Sequence, residues 1–99
     1  MLHIINKSPF EKNSFKSAVK HATMGSTFLL IEDGVYATLA NGSNNKTLRK
    51  ACRIGKVVAL SNDINARGIQ DKISEQVKLT NYSGFVDLVT ENERLHSWL

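Results

Sequence analysis

The stretch Lys56-Val57-Val58-Ala59-Leu60-Ser61-Asn62-Asp63-Ile64-Asn65-Ala66-Arg67-Gly68 decides the fold. Val57 to Leu60 is an unbroken apolar run. It is too short for a stable helix on its own and suits a central strand buried on both faces. Ser61, Asn62 and Asp63 bring turn and N-cap chemistry. Ile64 to Arg67 makes a short helical turn, and Gly68 can end it. A strand that passes through a polar turn into a helix is the unit of a parallel α/β sheet. Binding in such sheets gathers at the carboxyl ends of the strands.

The same unit occurs upstream. Thr27 to Ile31 is apolar, Glu32-Asp33-Gly34 turns, and Val35 to Ala40 reads as a short helix. Leu2 to Ile5 reads as a first strand. Ser8 and Glu11 have capping-box spacing with Pro9 at the first helical position, and Asn13-Ser14 offers a second cap. Phe15, Ala18, Val19 and Ala22 then form one apolar stripe, and Gly25 closes that helix. Asn41 to Asn45 is the most loop-like segment. Lys46 to Arg53 predicts a helix with Leu48, Ala51 and Cys52 on one side, separated by Gly55 from the central strand. Beyond Gly68 the pattern weakens to isolated anchors at Ile69 and Ile73. Val77 to Thr80 alternates and predicts a strand nearer an edge. Asn81-Tyr82-Ser83 caps a last helix through Phe85, Val86, Leu88 and Val89, and Glu91 to Leu99 reads as a tail. Strands alternating with helices predict one α/β domain over residues 1–99, with a mainly parallel sheet, right-handed crossovers and an open strand order.

The chain has 99 residues, room for one core and not two. Its single cysteine, Cys52, excludes an internal disulfide and fits a reducing compartment. No apolar stretch approaches the roughly 18 residues of a membrane span, and Met1 to Ile5 lacks the features of a signal peptide. The expected location is cytoplasmic. The net charge of +4 tolerates anionic partners but is modest.

Leu2-His3 is followed by Ser8-Pro9, then by Leu29-Leu30-Ile31-Glu32-Asp33-Gly34-Val35. Leu60, Asp63 and Ala66-Arg67-Gly68 come next, then Tyr82 with Phe85-Val86, and finally Trp98. In order and spacing this resembles the DsrH/TusB family over the whole length. The resemblance implies a DsrE/F/H-like fold, a small three-layer sandwich. It implies a subunit of a heteromeric sulfur-relay complex, assembled with homologous TusC/DsrF-like and TusD/DsrE-like chains. Such a complex takes persulfide sulfur from a TusA-like carrier and passes it to a TusE/DsrC-like one. In the TusBCD branch the sulfur ends in the 2-thio group of the tRNA wobble uridine. In the DsrEFH branch it serves dissimilatory sulfur oxidation, and Asn6 to Glu11 leans that way. No cofactor is implied. The main sulfur-bearing cysteine of the family belongs to the TusD/DsrE-like subunit. Some DsrH members carry a further cysteine near the position of Ala18, and here it is absent. The resemblance therefore implies a subunit without a catalytic residue of its own.

Among the residues themselves, Cys52 is the one thiol that could carry persulfide. Lys50 and Arg53 beside it would favour the thiolate, whereas its shared face with Leu48 and Ala51 suggests a buried, inert thiol. Lys46, Arg49, Lys50 and Arg53 fall at i, i+3, i+4 and i+7, one basic stripe. Such a stripe is either a solvated face or a dock for an acidic carrier or RNA phosphates. With no aromatic in it, base stacking and direct tRNA contact are disfavoured. Asp33 and Asp63 each follow an apolar strand, where capping of backbone N–H groups is the simpler role and acid catalysis the bolder one. Asp33, Asp63, Arg67, Tyr82, Phe85 and Trp98 are the candidate partner contacts, Trp98 closing either its own core or an interface. His3, His21 and His96 show no metal-ligand spacing, and no nucleotide-binding glycine loop or nucleophile elbow is present.

Overall fold

The computed structural model describes residues 1–98. Five strands form one parallel sheet: β1 (Leu2–Ile5), β2 (Thr27–Leu30), β3 (Lys56–Leu60), β4 (Lys78–Thr80) and β5 (Leu95–Trp98), in the order β4-β3-β2-β1-β5. The helices are α1 (Ser14–His21), α2 (Asn45–Ile54), α3 (Ser61–Ala66) and α4 (Tyr82–Glu91), with a 3₁₀ helix over Glu32–Thr38. The apolar run quoted first is indeed central: β3 lies between β2 and β4, and Val57 to Leu60 are buried.

The topology explains the three layers. From β1 to β4 the chain steps one place at a time across the sheet, and the intervening helices stack on one face. The last connection returns across the whole sheet to reach β5 beside β1. A right-handed crossover in that direction must place α4 on the opposite face. The core follows this division. Ile5, Phe28, Leu30, Val57 and Ala59 meet Phe15, Ala18 and Val19 of α1, Leu48 and Ala51 of α2, Val35 of the 3₁₀ helix and Ile64 of α3. The alternate residues Leu2, Leu29 and Val58 point the other way, against the half-buried Phe85, Leu88 and Val89 of α4.

Three expectations are corrected. The first helix starts at Ser14, not at Pro9. Ser8 instead builds a separate turn: its carbonyl accepts from the N–H groups of Glu11 and Lys12, and its Oγ accepts from Phe10 at 3.2 Å. Val35 to Ala40 lies within or just after a 3₁₀ helix that begins earlier, at Glu32. The supposed tail contains β5, paired in register from Leu2 with Leu95 to Ile5 with Trp98. Leu95-His96-Ser97-Trp98 has neither an apolar run nor a clear alternation, because this edge strand is mostly exposed. Its partner strand, not its composition, makes it a strand.

The stop at Gly68 is as read. Gly68 has a φ of 64°, its N–H donates to Asn65 and that of Ile69 to Ile64, the paired bonds of a Schellman motif. Ile64 and Ile69 both enter the core and supply the apolar contact that accompanies such a stop.

Candidate functional site

The carboxyl ends of β2 and β3 converge on a cluster built from the two repeats of the strand-turn-helix unit. After β3, Asp63 does not cap its own helix. Its Oδ2 accepts the backbone N–H of Glu32 at 2.7 Å, at the start of the 3₁₀ helix that follows β2. The capping role expected of Asp63 is therefore exercised across the sheet. Glu32 has a φ of 50°, and among the described residues no other non-glycine residue has a positive φ. Asp63 thus fixes the one left-handed side-chain-bearing residue of the fold, a conformation that costs about 1 kcal/mol.

Asp33 takes a different part. Its Oδ1 accepts from Nε and Nη2 of Arg67 at 3.1 and 2.8 Å. Arg67 also donates through Nη1 to the carbonyl of Asp63 at 3.2 Å and lies 3.6 Å from its carboxylate. The Asp33 hydrogen bond, offset in part by burial, holds the guanidinium yet more firmly charged than usual. The Tyr36 ring lies under the guanidinium, 6.0 Å from its carbon. Asp33, Asp63 and Arg67, three of the candidate contacts, are thus one unit that clamps adjacent strand-end loops together. Asp33 remains half exposed at its rim.

Trp98 stands at the far edge of the same sheet end. It packs on the α1 side of the core and donates its indole N–H to Nδ1 of His3 at 3.1 Å. His96 and His21 flank the indole, with ring centroids 4.4 and 6.4 Å away. Nothing in the spacing of three histidines so distant in sequence signals this cluster; only the β1–β5 pairing creates it. His3 is pushed below its ordinary pKa by burial first, then by His96 and the N-terminus. Tyr82 and Phe85 lie apart from both groups, on α4. Tyr82 and Val86 are more than half exposed, and no residue of α4 is fully buried. Asn81 caps this helix as read, accepting from the N–H of Gly84 at 2.9 Å.

Cys52 is half-buried on α2 and packs against the core, and burial pushes its thiol up. Lys50 and Arg53 do not reverse that effect. The basic stripe is exposed as expected at Lys46, Arg49, Lys50 and Arg53. Sequence spacing missed that Lys46 and Lys50 share a groove with Lys16 and Lys20 of α1. A second cavity, of about 420 Å³, opens beside the Leu39–Ile73 bridge and is lined by Asp71 and Lys72 among others. Among the described residues no group of three or more His, Cys, Asp or Glu is placed to hold a metal ion, and no helix is long and apolar enough to cross a membrane.

This is a small parallel α/β sandwich whose strand-end loops are tied by an acidic and arginine cluster. The family profile described as DsrH like protein matches residues 7–95, and the chain belongs to that family. It is 34% identical over 98 residues to the protein TusB of Enterobacter sp. (strain 638), covering 99% of this chain and all of the relative. It is 35% identical over 98 residues to TusB of Buchnera aphidicola subsp. Baizongia pistaciae, again covering 99% of this chain and 100% of that one. Among solved structures, the YchN protein of Escherichia coli superposes with a TM-score of 0.79 at 15% identity, covering 97% of each chain. Protein Tm0979 of Thermotoga maritima does so with a TM-score of 0.65 at 26% identity, covering 95% of this chain and 97% of that one. The fold is therefore the DsrE/F/H-like one.

Proposed function

We propose that this chain is a structural subunit of a TusBCD-like sulfur-relay complex, serving 2-thiolation of the tRNA wobble uridine in the cytoplasm. Its part is to offer interface area and to help position a sulfur-bearing cysteine on a homologous partner. The full-length identity to proteins called TusB supports the tRNA branch over sulfur oxidation.

One observation carries the subunit reading: the setting of Cys52. A persulfide carrier needs an accessible thiolate, because the thiolate is the attacking species. The only cysteine is half-buried on a helix against the core, with its thiol pushed up, and it lies outside the strand-end cluster. The chemistry then falls to another chain. The uncovered α4 face fits this assignment, since among the described residues it is the sole helix on its side of the sheet and it keeps Tyr82 and Val86 exposed.

The test is native mass spectrometry of this chain expressed alone and together with TusC-like and TusD-like homologues from the same genome. A complex holding all three chains is the expected result. A chain that stays apart from both would remove the proposal.

A further inference from the structure

The groove between α1 and α2 has a volume of about 400 Å³ and is lined by Lys16, Lys20, Lys46, Lys50, Ser43 and Thr47, with Val19 at its floor. Lys16 and Lys20 are one helical turn apart on α1, as Lys46 and Lys50 are on α2. Two lysine pairs, the members of each about 6 Å apart in rise along their helix, therefore line the cleft from its two walls. All four are exposed. The ion pairs among the described residues both belong to Arg67, so no described carboxylate neutralises the groove. The sequence explains why: no Asp or Glu occurs in residues 12–31 or 34–62. Uncompensated like charges set side by side are unfavourable unless a partner brings the opposite sign.

We infer that this groove docks a carboxylate-rich surface of a protein partner. The polar side chains of the lining are four ammonium donors and two hydroxyls, which fits an anion. Ammonium groups act as point charges without the fork geometry of arginine, so they accept carboxylates in many poses. The absence of an aromatic side chain from the described lining leaves nothing on which a nucleobase could stack. The basic surface is only two short helices long, whereas in residues 68–99 Lys72, Lys78 and Arg94 are interspersed with Asp71, Glu75, Asp87, Glu91 and Glu93. A compact acidic patch matches a basic surface of that length, and an extended polyanion such as RNA would run past it. A small free anion would be screened at four exposed lysines, so a surface that brings several charges together and excludes water is the better match. The inference goes beyond the assembly reading and does not depend on it, because the groove belongs to this chain alone.

The experiment measures fluorescence anisotropy of a labelled ten-residue polyglutamate against the full chain, at about 50 and 150 mM salt. Two double variants of equal net charge are compared: K20E with K50E in the groove, and K72E with K78E outside it. Circular dichroism checks that both fold. The expected result is saturable, salt-sensitive binding, weakened roughly tenfold or more by the groove pair and by less than about twofold by the outer pair. No saturable binding at the lower salt, or equal weakening by both pairs, would overturn the inference. Tighter groove-dependent binding of a ten-residue oligouridylate would overturn it in favour of nucleic acid.

Discussion

Trp98 donates its indole N–H to Nδ1 of His3 at 3.1 Å, tying the final described strand to the first. This bond sets the tautomer of His3, whose proton must then sit on Nε2. Protonating His3 would place an N–H donor against the indole N–H, in a buried site already next to His96 and near the N-terminus. The folded-state pKa of His3 is accordingly below the unfolded value of about 6.5. As pH falls through 6.5 the unfolded chain takes up a proton that the folded chain refuses, so stability falls. The loss ends once pH passes below the folded pKa. We expect urea midpoints, followed by circular dichroism, to be flat near pH 8 and to decline below about 6.5. Trp98→Phe keeps much of the packing, removes the donor and should cost about 1 kcal/mol at pH 8. It should also make the acid decline shallower, since His3 then protonates more freely. An unchanged acid profile in the variant would assign the pH dependence to other groups.

What could be read ahead of the structure follows from which forces are local. Val57 to Leu60 and Phe28 to Leu30 are buried on both faces, so burial alone writes their apolar runs. The stop at Gly68 and the cap at Asn81 are legible because the residue that performs each lies in the segment it shapes. β5 was not legible, because an exposed edge strand is defined by its neighbour's hydrogen bonds. The crossed use of Asp63 was half legible. Its chemistry as an N–H acceptor follows from its place after a strand, but its recipient, Glu32, lies 31 residues away. The lysine groove was visible only as the α2 stripe, since its other wall comes from α1.

The strand-end clamp separates a structural carboxylate from a rim one. Asp63 is mostly buried and accepts the N–H of a left-handed residue, so Asp63→Ala should lower stability by about 1–2 kcal/mol. Asp33 is half exposed in its pair with Arg67, so Asp33→Ala should cost less than about 1 kcal/mol. Glu32→Gly should offset part of the Asp63→Ala loss, because glycine adopts a positive φ without strain. Denaturant unfolding of the three single variants and the double variant checks this order. Equal losses at Asp33 and Asp63 would contradict it.

Two glycines test what lies beside the backbone. A Cβ at Gly34 would strike the carbonyl of Ile5, the last residue of β1, which already accepts the N–H of Ile31 at 3.0 Å. Backbone cannot step aside as a side chain can, so Gly34→Ala should destabilise by about 3 kcal/mol. At Gly84 the added Cβ would meet Oγ1 of Thr80, the end of a rotatable side chain. Gly84→Ala should therefore be near neutral, with the helix preference of alanine, about 1 kcal/mol, offsetting the rotation of Thr80. Thermal unfolding of the two variants should differ clearly, and similar midpoints would mean that the β1–β2 end yields more than its packing implies.

Cys52 is where chemistry and scaffold part company. Burial disfavours its thiolate, so iodoacetamide at pH 7 should alkylate it more slowly than free cysteine and reach the free rate only in denaturant. Cys52→Ser replaces a small apolar contact with a hydroxyl and should cost about 1 kcal/mol of stability. If the chain is a scaffold in the relay, the same variant leaves sulfur transfer through a reconstituted three-chain complex unchanged. Loss of transfer in a complex that still assembles would make Cys52 a persulfide carrier. The stability measurement keeps these outcomes apart, because a merely weakened subunit recovers transfer at lower temperature and a missing carrier does not.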